Sequence, residues 1–493
     1  MDFYSTRGEG PVSGARAIVN GIAKDGGLYV PSSFPKITAD DLSDMVELEY
    51  YERAAYVMSL YLDEFDYEEL KEYAKAAYAK FDGDPAPLVK VDEQTYLLEL
   101  WHGPTLAFKD IALTMLPYLM TASKKKLGEK NDTLVLVATS GDTGKAALEG
   151  FKDVDGTEIA VLYPSQGVSD MQKKQMVTTE GKNVHVFGIE GNFDDAQRAV
   201  KRIFNSEEMQ KKFSDLGYDL SSANSINFGR LLPQIVYYIS SFVDLLANGL
   251  IGPTEEINFV VPSGNFGNVL AGYYAKRMGL PVKQLIVASN VNDVLTEFFS
   301  DGVYDANRDF YKTMSPSMDI LVSSNLERLL YELGGRDPEY VKNLMKKLAE
   351  DGYYTVDEDE LYDKLPEFIG YSASEEETSE AIDNFFDEYG YLLDPHTAVA
   401  VSAFFKYMTE TYDNTTSSVI VSTANPYKFP QSVYEAVAHS KEESPEKAAK
   451  KLEFFTGAEI PDSIKELANK PVLHPDVLDQ KDIDEALLAS VRK

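Results

Sequence analysis

Five short segments of the chain combine residue types that handle anions and protons. The first, Trp101-His-Gly-Pro-Thr-Leu-Ala-Phe-Lys-Asp110, places a lysine where a long apolar helix begins. The positive end of a helix dipole disfavours an ammonium, so Lys109 suits a neutral amine or one consumed in a covalent bond to a carbonyl compound. An ordinary lysine carrying its charge to the surface has the same spacing. The second, Ala138-Thr-Ser-Gly-Asp-Thr-Gly144, offers hydroxyls and free N–H groups ahead of a helix, a setting for a carboxylate or phosphate. It is not a nucleotide P-loop: Thr139 stands at the first glycine position, and Ala146 replaces the magnesium-binding hydroxyl. The third, Pro262-Ser-Gly-Asn-Phe-Gly-Asn268, has two glycines that let backbone curl around a tetrahedral anion, or simply make a tight turn. The fourth, Asn224-Ser-Ile-Asn-Phe-Gly-Arg230, sets two amides, a hydroxyl and a guanidinium within two turns. Those groups can grip a dianionic phosphate bidentately, or can cap a helix beside a surface arginine. The fifth, Ser422-Thr-Ala-Asn-Pro-Tyr-Lys-Phe429, carries a threonine hydroxyl suited to a cofactor heteroatom and an Asn-Pro pair typical of turns.

The first, second, third and fifth segments adjoin short apolar, β-branched runs, part of a series along the chain. The runs are Thr95–Leu100, Thr133–Thr139, Ile159–Tyr163, Asn183–Phe187, Ile257–Val261, Gln284–Ser289 and Ser417–Ser422, most of them followed by a turn and then a helical pattern. Continuous apolar strands with helical crossovers predict parallel sheets covered on both faces. In such α/β folds ligands collect beyond the carboxyl ends of the strands. Before them, residues up to about Pro87 read as a separate helical segment, with Leu60, Phe65, Leu70, Tyr73 and Ala77 at helical spacing. Between about Asn292 and Glu388 the composition turns acidic and Tyr-rich, which reads as a helical insertion and not a sheet repeat. From about Lys441 the chain reads as charged helix with short Pro-bounded pieces. The expected division is an N-terminal segment over 1–88, α/β domains over 89–250 and 251–440, and an extension over 441–493.

A chain of 493 residues, 44% hydrophobic and 12% aromatic, can bury sizeable cores. A formal charge of −34 argues against nucleic acid as a partner. No apolar run is long enough to span a bilayer, and the first residues lack an export pattern, so a cytoplasmic protein is expected. Without cysteine there is no disulfide or thiolate, and five scattered histidines give no metal-ligand spacing, so no metal is expected.

Together the five segments resemble the threonine synthase family of pyridoxal-phosphate (PLP) enzymes, which shares the tryptophan synthase β-subunit fold. The resemblance runs from Phe3-Tyr-Ser-Thr-Arg7 and Asp25-Gly-Gly-Leu-Tyr-Val-Pro31 through Thr423, and the long N-terminal segment resembles the enteric and yeast class. It implies a fold of two parallel-sheet α/β domains. It also implies that O-phospho-L-homoserine and water become L-threonine and phosphate, the last step of threonine biosynthesis. By the same resemblance Lys109 binds PLP covalently and serves as general base at Cα. Ser263, Gly264, Asn265, Phe266, Gly267 and Asn268 hold the PLP phosphate, and Thr423 faces the ring nitrogen. Ser140, Gly141, Asp142 and Thr143 surround the substrate carboxylate, while Asn224, Ser225, Asn227 and Arg230 grip the substrate phosphate. One departure is Asn425, where the family carries histidine. The rivals are another PLP lyase of this fold, such as a serine/threonine dehydratase, and a non-catalytic binding protein that kept the fold. A monomer or a homodimer is expected.

Overall fold

The computed structural model describes residues 1–139, 141–165, 168, 170–467 and 469–491. Two parallel sheets organise it. The larger has six strands, ordered Phe368–Ser372, Val282–Ser289, Ile257–Pro262, Ser418–Ser422, Thr95–Glu99 and Leu88–Lys90. All neighbours pair in parallel except the last two. The smaller has five parallel strands, ordered Val477–Leu478, Val184–Ile189, Thr157–Pro164, Asp132–Ala138 and Tyr218–Ser221. Every residue of Ile257–Pro262, Ser418–Ser422 and Thr95–Glu99 is buried, the pattern of strands covered by helices on both faces.

The strand order departs from the order along the chain. Thr95–Glu99 pairs with Ser418–Ser422, so the strand leading to Lys109 joins the sheet built by the second half of the chain. Phe368–Ser372, within the acidic region expected to be helical, is an edge strand paired with Val282–Ser289. Five residues with a single partner strand, set among acidic helices, leave little periodicity to read.

The N-terminal region contains the expected helices, Tyr50–Tyr61 and Tyr67–Tyr78. It also forms a three-stranded antiparallel sheet, ordered Val12–Ser13, Asp2–Ser5 and Tyr29–Pro31. It does not stand apart: Phe3 and Tyr61 pack on Phe228, with ring centroids 4.7 and 5.8 Å away, inside the principal core. Among the described residues no helix is long and apolar enough to cross a membrane, and no cluster of His, Asp and Glu could hold a metal ion.

Candidate active site

Lys109 is the first residue of the helix Lys109–Lys126. The turn before it is fixed by its own helix, because buried Asp110 accepts from the Thr105 backbone N–H at 2.8 Å and from its hydroxyl at 2.6 Å. Gly103 is required here, since a Cβ would meet the Asp110 side chain at 2.5 Å. The turn is also zipped to the loop after the neighbouring strand, with Phe108 N donating to Thr423 O at 2.9 Å and Asn425 N to Leu106 O at 3.0 Å. Lys109 and Thr423 are thereby set side by side although more than three hundred residues separate them.

Both residues line a cavity of about 290 Å³, together with Thr143, Asn224, Ser225, Arg230 and the whole Ser263–Asn268 loop. Lys109 is half-buried among these residues. Burial therefore lowers its amine to about 8, against a partial opposing pull from Asp142.

The Ser263–Asn268 loop curls ahead of the helix Gly267–Met278, with Phe266 in the left-handed region at φ 64°. Its carbonyls are held from outside: Ser323 Oγ donates to Gly264 O at 2.7 Å and Asn325 N to Asn265 O at 3.1 Å. Asn268 Oδ1 accepts from the hydroxyls of Tyr237 and Tyr238 at 2.6 and 2.7 Å, while its buried Nδ2 has no partner among the described residues. An unpartnered buried amide beside free helix-end N–H groups is a donor set awaiting an anion.

Arg230 is the second such group. It is buried, Nη1 donates to Ala223 O at 2.8 Å, and Nε has no partner among the described residues. Burial takes its guanidinium down to about 10. Asn227 differs from its neighbours. Its Oδ1 accepts from Gly229 N at 2.8 Å as a helix cap and its Nδ2 donates to Ile18 O at 2.9 Å, so both ends of the amide brace structure. It does not line the cavity.

In the second segment, Thr139 Oγ1 accepts from the N–H groups of Gly141 and Gly144, each at 3.0 Å, and so shapes the turn before the helix Asp142–Phe151. Asp142 is ion-paired with Lys428, Oδ1 to Nζ 3.1 Å. Burial would raise its carboxyl, but Lys428 and then Lys109 outweigh that and hold it at about 2. Ser140 lies outside the described residues. Asn425 is buried and spends its side chain capping the turn Pro426–Lys428, accepting from Tyr427 N at 3.0 Å.

Several wall residues were not singled out from sequence: Phe193, Gln197, Gln234, Ser317, Met318 and His396. Lys428 did lie in the fifth segment. The available signal for His396 was Asp394-Pro395-His396 opening a helix.

Family models match along the chain: "Threonine synthase N terminus" over 2–78, "Pyridoxal-phosphate dependent enzyme" over 81–423 and "Threonine synthase, C-terminal" over 397–482. Threonine synthase of Pseudomonas aeruginosa is 40% identical over 439 residues, covering 88% of this chain and 90% of its own length. That of Saccharomyces cerevisiae is 37% identical over 465 residues, covering 88% and 89%. This chain belongs to the threonine synthase family. A crystal structure of PLP-bound threonine synthase from Brucella melitensis superposes with a TM-score of 0.89 at 37% identity, covering 100% of both chains. Like the rest of that PLP-dependent family, the chain has a site whose donors fit the cofactor. A half-buried lysine of lowered basicity stands at one side of the cavity. An anion-ready loop and a threonine at the adjacent strand end complete the wall.

Proposed function

We propose that this chain converts O-phospho-L-homoserine and water to L-threonine and phosphate, with Lys109 carrying PLP. Ser263–Asn268 hold the cofactor phosphate and Thr423 faces the ring nitrogen. When bound, PLP supplies an electron sink for negative charge developing on the substrate carbons. Lys109, with an amine at about 8, gives up its proton near neutral pH and can take one from Cα. Asn224, Ser225 and Arg230 bind the substrate phosphate and stabilise its charge as it departs from Cγ.

The substrate carboxylate falls to Thr143 and the N–H groups of the Gly141–Thr143 turn. Asp142 does not bind it, because its own carboxylate is ionised and engaged with Lys428. The ion pair keeps that negative charge from repelling the incoming anion.

The observation that carries the reading is the buried guanidinium of Arg230, with Nε unpartnered, in the same cavity as Lys109. A γ-phosphate compensates it, whereas substrates lacking that group, such as serine or threonine in a dehydratase, leave it unpaired. PLP-loaded protein given O-phosphohomoserine should release phosphate and threonine in equal amounts. Ammonia with an oxo acid, and no threonine, overturns the proposal.

A further inference from the structure

Ser317 and His396 have no part in the chemistry above, yet both line the cavity of Lys109. Lys109 Nζ donates to Ser317 Oγ at 3.1 Å. The nearby carboxylate of Asp142 is paired with Lys428. The backbone N–H of Ser317 in turn donates to His396 Nε2 at 3.1 Å. A ring nitrogen that accepts carries no proton, so His396 is the Nδ1–H tautomer and donates to Asp394 Oδ1 at 2.9 Å. Asp394 is immobilised as the cap of the helix Pro395–Thr411, accepting from His396 N at 2.9 Å and from the Thr397 hydroxyl.

The segment carrying Ser317 is pinned elsewhere as well. Thr313 donates to Asp319 through its N–H at 3.0 Å and its hydroxyl at 2.7 Å, and Asn290 Nδ2 donates to Asp319 Oδ1 at 2.9 Å. Met314 N donates to Glu375 Oε2 at 2.9 Å. The segment also presses on the anion loop, since a Cβ on Gly264 would lie 2.6 Å from Ser317 O.

We propose that the Asp394–His396 pair holds Ser317 so that its hydroxyl aims the Lys109 amine at the reacting carbon. Ser317 is then a catalytic residue, touching the reacting nitrogen, and His396 a positioning residue that acts through it. The proposal rests on Lys109 being the amine that moves the proton. A lysine amine swings on four methylenes, and proton transfer needs it within hydrogen-bond reach of its target, so an acceptor that fixes the amine raises the rate of the step.

Ser317→Ala removes one oxygen and leaves the pinning network intact. Its kcat should fall about tenfold, the worth of a hydrogen bond to a charged amine, with KM changing by less than about threefold. A second readout does not require catalysis: competitive acetylation of cofactor-free protein across pH, with the Lys109 peptide followed by mass. The lost acceptor favoured the charged amine, so in Ser317→Ala the Lys109 titration moves to lower pH, with Asp142, Asp110, Lys428 and Arg230 unchanged around it. Ser317→Thr restores both values. His396→Phe keeps a ring beside Phe429, now 5.0 Å away, and removes the acceptor for Ser317 N. It should also lower kcat, and the double variant Ser317→Ala with His396→Phe should be no slower than the slower single. An unchanged titration and kcat in Ser317→Ala, or additive losses in the double variant, overturns the proposal. Either result leaves threonine formation by the parent protein standing, so the two readings fail separately.

Discussion

Replacing Arg230 by methionine separates substrate affinity from fold stability. Burial lowers the guanidinium from 12.5 to about 10, and at 1.36 kcal/mol per pK unit the charged group costs the free protein about 3 kcal/mol. Both folded and unfolded states are protonated at neutral pH, so the penalty is fully present there and fades only as pH rises past about 10. Methionine removes it and forfeits the bond to Ala223 O, about 1 kcal/mol, for a net stabilisation of up to about 2 kcal/mol in the ligand-free protein. Binding moves the other way. A unit charge about 4 Å from the guanidinium interacts by about 4 kcal/mol at an effective dielectric of about 20. A loss of about 3 kcal/mol after desolvation is roughly a hundredfold in kcat/KM for O-phosphohomoserine. The assay is initial-rate phosphate release, with the cofactor absorbance as a control and thermal denaturation of ligand-free protein alongside. The expected variant melts no lower than the parent, keeps its cofactor and is about a hundredfold poorer. A kcat/KM within about threefold of the parent, or loss of cofactor, refutes the assignment of Arg230 to the substrate phosphate.

Borohydride reduction followed by peptide mapping should place the pyridoxyl group on the peptide containing Lys109, and a group on any other lysine refutes its role. The kcat profile should rise with pH through about 8, because the Lys109 amine must lose its proton to act as base; a flat profile between pH 7 and 9 contradicts this. Gly264→Ala drives a Cβ to 2.6 Å from Ser317 O, and equilibrium dialysis should show cofactor affinity reduced by about fivefold to a hundredfold, from about 1–3 kcal/mol of strain. Lys428→Met strands the largely shielded Asp142 carboxylate, whose side chain is 12% exposed, and should destabilise by about 3 kcal/mol in urea denaturation at neutral pH, most of it recovered in the double variant with Asp142→Asn. The Asp142 carboxyl is depressed from 3.8 to about 2, so the parent's advantage is full above about pH 4 and shrinks as pH falls toward 2.

The chemistry-bearing loops were legible because parallel strands advertise themselves as apolar runs and ligands gather where such strands end. The mutual arrangement was not. Thr95–Leu100 reads as a strand of the first half, and nothing local reveals that its neighbour is Ser418–Ser422. Asn227 shows the limit of residue type. An asparagine ahead of a helix is suited equally to gripping an anion and to capping, and only the position of Ile18 and Gly229 decides for capping. Ser317 and His396 were invisible for a different reason. Neither sits in a glycine-rich or strand-end context, and the contact of Ser317 with Lys109 spans 208 residues of sequence. Long-range hydrogen bonds of that kind leave no periodic trace.

The central place of Ser418–Ser422, between Ile257–Pro262 and Thr95–Glu99, has a consequence in time. As the chain leaves the ribosome, Thr95–Glu99 has only the short antiparallel Leu88–Lys90 to pair with until Ser418, the partner of Thr95, is made. At about 5–20 residues per second this wait lasts roughly 15–65 s. During it an apolar strand edge stands open to the wrong partner. The loop holding Lys109 cannot be zipped to Thr423 before then, so the cofactor site forms only once the chain has been made through Thr423, and nascent chains cut short of Ser418 should neither retain the cofactor nor stay free of aggregation.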